Sequence, residues 1–406
     1  MLFPLALLAV LQAPLVVGTT APYHTIAAAL AAAPDGGTVR VTAGTWREPT
    51  LRLGRPVTLV GDRGAVLDGE GLRELLVITA PHVTVRGLTF RNTGSSYHED
   101  RAAVRVDSAR NCVIEGNRFE VTFFAIYLSR AEQCVVRLNV VAGRLGTETA
   151  TGNAIHSWGS RDIRVEDNRL SGHRDGIYLE FTRHAVVRRN TSEGNFRYGL
   201  HFMYSDSSTY EGNTFRGNGS GVAVMYSHVV RMAHNRFLEN RGATAYGLLL
   251  KEIADVELID NDFAGNTTGL LADGAERVRV EGNRFTRNGW AVRLLASTSG
   301  GDFRSNQFAG NSFDVAVNAR TVGAHFSGNW WDSYRGWDLD HDGTGDVPHH
   351  PVRLFALLVE RAQPALLLQR SLFVRVLDAA ERVVPVLTPD QVVDSLPRMT
   401  RAGRAP

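Results

Sequence analysis

Gly212-Asn-Thr-Phe215, His234-Asn-Arg-Phe237, Asp260-Asn-Asp-Phe263, Gly282-Asn-Arg-Phe285 and Ser305-Asn-Gln-Phe308 are one short turn written five times. The pattern is a glycine or polar residue, an asparagine, a free position and an apolar residue. Followed outward, its asparagines are Asn117, Asn139, Asn168, Asn190, Asn213, Asn235, Asn261, Asn283, Asn306 and Asn329, spaced by 22, 29, 22, 23, 22, 26, 22, 23 and 23 residues. A second series carries a small residue before an alternating run: Ala125, Ala154, Gly176, Gly199, Gly221, Gly247, Gly269 and Ala291. Both series share one period and the same two insertions, Gly146 to Gly152 and Gly242 to Ala245.

A period near 22 residues with short alternating runs defines a solenoid. Each repeat holds three short strands and has no room for the helix of a leucine-rich horseshoe. Val113-Ile114, Ile163-Arg164-Val165 and Val278-Arg279-Val280 are β-branched strand material. The expected fold is all-β: a right-handed parallel β-helix of eleven or twelve coils over residues 22–329. Asparagine suits a left-handed turn position at each repeat, and stacked amides can bond from rung to rung. Thr25 to Ala33 reads as an amphipathic helix capping the open N-terminal end.

Alternation assigns faces. In Gly199-Leu-His-Phe-Met203, Leu200 and Phe202 point inward, His201 and Met203 outward. The register predicts two outward columns. One runs Tyr127, His156, Tyr178, His201, Ala223; its neighbour runs Ser129, Trp158, Glu180, Met203, Met225, Lys251. Met232 falls inward with Tyr210 and Leu258. Cys112 and Cys134 each precede their turn asparagine by five residues, so they stack in adjacent coils as buried thiols, with a disulfide the lesser alternative.

Composition narrows the function. The chain has 406 residues, 44 Lys+Arg against 42 Asp+Glu, and a formal charge of +2. That balance creates no field for binding nucleic acid. Two cysteines cannot form a disulfide framework or a cysteine-based zinc site. Residues 1–21 read as a secretory signal, although the leader lacks a Lys or Arg. No later stretch reaches the roughly 18 apolar residues of a spanning helix.

Beyond Asn329 the character changes. Residues 330–350 form a Trp/Asp-rich closing loop. Asp338, Asp340, Asp342 and Asp346 sit in it with the spacing of an EF-hand-type loop, but His349 stands where the bidentate Glu belongs. A calcium site and an Asx-rich turn both fit. Residues 351–406 carry amphipathic helices and a tail. Leu354 to Val359 form one apolar segment; Ala365 to Val384 carry too many charges to span a membrane, and the apolar surface is too broad for a solvated tail. They either pack on the β-helix or dock into a membrane partner.

Gly199-Leu-His-Phe-Met-Tyr-Ser205, Ala245-Tyr-Gly-Leu-Leu-Leu-Lys251, Trp290-Ala-Val-Arg-Leu-Leu-Ala296, Trp330 to Asp346, Pro351-Val-Arg-Leu-Phe355 and Asp378-Ala-Ala-Glu-Arg382 together resemble the NosD family. The resemblance spans about His24 to Pro397. It implies a periplasmic β-helix associated with the inner membrane through an ABC transporter, whose permease and ATPase are separate chains. It further implies copper delivery to the copper–sulfide centre of nitrous oxide reductase, with a membrane-anchored copper chaperone lipoprotein as donor. This chain carries no phosphate loop of its own.

Within that frame, Cu(I) favours thioether and imidazole ligands. The chain has five methionines. Met203 and Met225 stand one coil apart in an outward column, with His201 and His228 close in sequence. These four are the candidate copper ligands; a sticky protein-binding or loop-covered patch is the other reading of the same residues. His234 and His156 are weaker candidates. The competing class is a secreted β-helix enzyme acting on acidic polysaccharide as lyase, hydrolase or epimerase, with His173, Asp175, Glu180 and Lys251 as acid/base groups.

Overall fold

The computed structural model describes residues 13–96, 99–144, 147, 151–318, 323–383 and 390–401. Most of the expected leader, Gly146 and residues 148–150 of the first insertion, Val384 and the last five residues lie outside the described set.

The chain winds as a three-sided parallel β-solenoid. Each coil has a first face of longer strands such as Tyr198–Met203, a second face such as Ser208–Glu211, and a third face such as Thr214–Arg216. Every strand pairs in parallel with its counterpart in the next coil, as Tyr198–Met203 does with Ser220–Met225. The third face holds thirteen strands. The solenoid is therefore longer than the eleven or twelve coils expected. The extra length lies at the N-terminus, where the asparagine marker is absent. Leu15–Val17, assigned by sequence to the leader, pairs with residues 39–41, and Val17 is buried. The solenoid thus starts before the boundary at residue 22. Helix α1 (Ile26–Ala32) follows, with Thr25 Oγ1 accepting from Ala28 N as its N-cap. Ile26, Ala29 and Leu30 are buried.

The interior explains the repeat. Asn117 to Asn329 stack as a buried ladder: each side-chain oxygen accepts the backbone N–H and the side-chain N–H of the preceding asparagine, as Asn213 does from Asn190 at 2.9 and 3.0 Å. The left-handed position is not the asparagine but the residue before it, including Leu138, Arg189 and His234. That corrects the expected role: the corner's backbone sets φ, and the asparagine satisfies the buried polar groups that the corner creates. A second ladder, Asn195, Asn218, Asn240, Asn266, Asn288 and Asn311, runs up the next corner. Phe215, Phe237, Phe263, Phe285, Phe308 and Trp331 stack inside, with centroids 4.0–5.6 Å apart. The small-residue series sits where a side chain would meet the next coil. A Cβ on Gly199 would lie 2.8 Å from Asn218 Nδ2 and 2.9 Å from Gly221 O. Cys112 and Cys134 are buried and unbridged, and contact with Cys134 followed by burial pushes the Cys112 thiol up.

The C-terminal region packs and caps. Helix α2 (Leu354–Arg361) seats Phe355, Ala356 and Val359 against Phe313, while Glu360 pairs with Arg293 at 2.9 Å. A 3-10 turn covers Gln363–Leu368, and helix α3 covers Leu372–Val383. The left-handed Arg370 separates the two. Residues 390–401 then return to the open end of the solenoid. Asp394 is fully buried, and its Oδ2 accepts Asn329 N, Asn329 Nδ2 and Trp331 Nε1 at 3.1, 2.9 and 3.0 Å.

Candidate functional site

The first face carries the two predicted columns in the predicted register. Tyr127, His156, Tyr178, His201 and Ala223 are paired coil to coil, and so are Ser129, Trp158, Glu180, Met203, Met225 and Lys251. Adjacent members stand about 4.8 Å apart, the spacing of neighbouring strands. These residues point away from the core, yet the first column is largely dry. His156 is 7% exposed and His201 6% exposed. Ring stacking excludes the water: the centroids of His156 and Tyr178 lie 4.7 Å apart, and those of Tyr178 and His201 4.4 Å apart at 6°.

The polar surroundings of His201 are specific. Its Nδ1 lies 3.7 Å from Asp175 Oδ2 and 3.4 Å from Arg197 Nη2. Asp175 is fully buried; burial would raise its carboxyl, but His201 and Arg197 hold it below the ordinary range. His201 Nε2 is buried with no partner. Both ring nitrogens of His156 likewise make no hydrogen bond, and burial pushes its imidazole below the ordinary value. Glu180 Oε2 stands 3.7 Å from His156 Nε2. Met203 and Met225 are half-buried and directly paired in register. Tyr178 OH lies 3.6 Å from Met203 Sδ.

His228 lands elsewhere. It follows the left-handed Tyr226 around the corner onto the second face. There it is exposed, with Nδ1 3.5 Å from Asp206. The structure thus brings His201, Met203 and Met225 onto one surface and seats His228 beside Asp206. Sequence reading missed the aromatic stacking and the Asp175–His201 contact. Tyr178 was visible as a column member, but ring-to-ring contact is a tertiary property. Met232 is core, as expected. His234 occupies a left-handed corner.

Two other predicted groups are placed. Asp338, Asp340 and Asp342 bring carboxylate oxygens within 4.8 Å of one another. Asp346 is not part of that group; it accepts Leu339 N at 2.7 Å. Asp338 also accepts Gly343 N at 2.9 Å, so the same loop is an Asx-type turn. His349 is turned inward against Trp331. Of the acid/base set, His173 and Asp175 have no exposed surface, while Lys251, paired with Asp273 at 3.7 Å, and Glu180, beside His156, are both partly open.

Fold and face together define a parallel β-solenoid with an outward thioether–imidazole surface and a capped C-terminal end. The chain belongs to the NosD family. Residues 142–336 match the family model described as "Periplasmic copper-binding protein (NosD)". A protein of Pseudomonas aeruginosa named "Probable ABC transporter binding protein NosD" is 31% identical over 405 residues, covering 87% of this chain and 86% of the relative. Its namesake from Stutzerimonas stutzeri is 28% identical, with 90% and 88% covered. Among solved structures, the A-module of the Azotobacter vinelandii mannuronan C-5 epimerase AlgE6 superposes with a TM-score of 0.65 at 19% identity, covering 76% of this chain and 95% of its own. The PL6-family alginate lyase AlyGC reaches 0.61 at 14% identity, covering 83% and 54%. At those identities the likeness is one of fold.

Proposed function

We propose that this chain is a periplasmic accessory factor that passes Cu(I) toward nitrous oxide reductase while associated with an ABC transporter. The reading rests on family membership. One observation carries its chemistry: Met203 and Met225 are paired across adjacent coils on the face that also carries His201, whose Nε2 is buried without a hydrogen-bond partner. Two thioethers about 4.8 Å apart can turn toward one ion on flexible side chains. His201 completes the set when Nδ1–H faces Asp175, since that tautomer leaves the Nε2 lone pair free. Copper is cargo here, so a half-buried site that releases its ion suits the role. His228 is the outlying member of the set, a candidate for capture or release.

The proposed partners are the transporter's permease and ATPase, a copper chaperone lipoprotein as donor, and the reductase as acceptor. Docking to the permease is assigned to the exposed part of the C-terminal region, where Leu367, Leu372 and Val376 are 89%, 74% and 58% exposed. Among the described residues no helix is long and apolar enough to cross a membrane. Asp338, Asp340 and Asp342 are a secondary proposal for calcium; a calcium-dependent rise in Tm that Asp340→Asn removes checks it. The copper reading is tested by Cu(I) competition titration of the Met203→Leu, Met225→Leu double variant. Volume is kept and sulfur is removed, so affinity should fall at least tenfold with an unchanged circular dichroism spectrum. Equal affinity would reduce the two methionines to surface packing.

A further inference from the structure

The third face holds a trough unrelated to the methionine face. Its cavity is about 630 Å³ and is bordered by Arg216, Arg236, Arg241, Arg284, Arg287 and Arg401, against only Glu239 and Asp262. Its floor is made of small or apolar residues in register: Leu238, Ala264, Thr286 and Ala309. One wall is the column Arg236, Asp262, Arg284; the other is the corner carrying Glu239, Gly265 and Arg287. The trough runs along the solenoid axis from the coil of Arg216 to that of Ala309. At about 4.8 Å per rung, that is about 19 Å.

Elsewhere on this solenoid many exposed arginines take a carboxylate from the neighbouring coil. Arg189 pairs with Asp167, Arg137 with Glu115, and Arg277 with Asp255. The trough instead gathers unpaired arginines around one cavity. Among the described residues, the guanidinium groups of Arg216, Arg236, Arg284 and Arg287 make neither ion pair nor hydrogen bond. The Nε–H of Arg284 is buried without an acceptor, and Asp262 Oδ1 is buried without a donor. Unpaired like charges held together repel, and orphaned buried groups cost stability. A ligand bringing several anionic groups and a few N–H donors removes both costs.

We infer that the trough is a docking groove for an acidic, extended peptide segment of a partner protein. An extended peptide rises about 3.3 Å per residue, so six residues span the groove. Its alternate side chains point the same way, about 6.8 Å apart. Glutamates or aspartates at such positions reach successive guanidinium forks, which bind carboxylates in a bidentate manner. The peptide backbone supplies the N–H donors that Asp262 and Glu239 accept, and the small-residue floor lets that backbone lie flat. A sulfate or phosphate ion has the charge but no chain length and too few donors.

The test uses the full chain and fluorescence anisotropy with a labelled decapeptide of alternating Glu and Ser. Three comparators accompany it: the Gln/Ser decapeptide, a five-residue uronate oligomer, and sulfate against chloride at equal ionic strength. The expected result is binding of the Glu/Ser peptide alone, weakened at least tenfold in Arg236→Gln, Arg284→Gln and unchanged in Arg189→Gln. Circular dichroism confirms that the variants fold. Absence of binding, or equal loss in Arg189→Gln, overturns the proposal. Uronate binding as tight as the peptide reassigns the trough to a glycan. Displacement by sulfate beyond that by chloride reduces it to a small-anion site. The copper reading stands or falls separately, because it concerns another face.

Discussion

Asp394 occupies the place an eleventh asparagine would fill. Its Oδ2 takes the ladder's last backbone and side-chain N–H groups and the indole N–H of Trp331. Each donor is buried, so removing the acceptor strands all three at once. A hydrogen bond to a charged group contributes about 1.5–3 kcal/mol, and a stranded partner costs more than the bond alone. Asp394→Ala should therefore lower stability by about 3 kcal/mol or more, read as a fall in the urea midpoint at unchanged slope. Asp394→Asn should lose much less, because the acceptor oxygen remains. Equal loss in both variants would show that the carboxylate charge, not the ladder geometry, holds the end. None of this was visible in the sequence: Asp394 lies 65 residues beyond Asn329 in a segment without the repeat.

At the scale of the ladder, the coil above Asn195 carries His173 instead of asparagine. The His173 backbone N–H still bonds to Asn195 Oδ1 at 3.2 Å. Its ring is fully buried, and burial pulls the imidazole down to about 4. The native state therefore holds the ring neutral while the unfolded chain protonates it below about 6.5. The stability that a neutral ring permits is complete above pH 6.5 and is lost as pH falls toward 4, by about 3 kcal/mol. Replacing His173 with Asn should extend the ladder and flatten that part of the stability–pH curve. An equally steep curve in the variant would place the acid sensitivity in other groups.

The period of 22 was legible because Asn213, Asn235 and their kin recur at a constant place beside the corner. The outward columns followed from it, since alternation within Tyr198–Met203 is fixed once one inward residue is known. The second ladder escaped notice although Asn218 and Asn240 repeat as regularly as Asn213 and Asn235. It stands five residues behind the first and was absorbed into the same period. The left-handed position was misassigned because Asn favours that conformation in isolation, whereas here Leu138 and Arg189 adopt it and the asparagine bonds inward. His228 was grouped with Met225 by sequence distance. The corner at Tyr226 separates them, and no local pattern reports which way a corner turns a side chain.

At the scale of the molecule, the C-terminal region packs on the solenoid, and docking is proposed for the part it leaves exposed. Helix α2 packs on the solenoid through Phe355 and Val359, and α3 leaves Leu372, Phe373 and Val376 exposed at 74%, 51% and 58%. Cutting the chain near Asp346 would remove Asp394 as well, so truncation mixes loss of docking with loss of the cap. The cleaner variant is Leu372→Glu, Val376→Glu. It should keep Tm within a few degrees, since those side chains lie in solvent, and should abolish co-purification with the permease. Retained co-purification would move the docking surface off α3.

On the proposed reading, sulfur from Met203 and Met225, with nitrogen from His201, holds Cu(I) on the first face. Copper K-edge X-ray absorption of the Cu(I)-loaded full chain tests it most directly. The predicted spectrum has sulfur scatterers plus one imidazole in the first shell, and the sulfur contribution disappears in Met203→Leu, Met225→Leu. A shell of nitrogen and oxygen alone, or a sulfur contribution that survives the double substitution and so belongs to other residues, would contradict it.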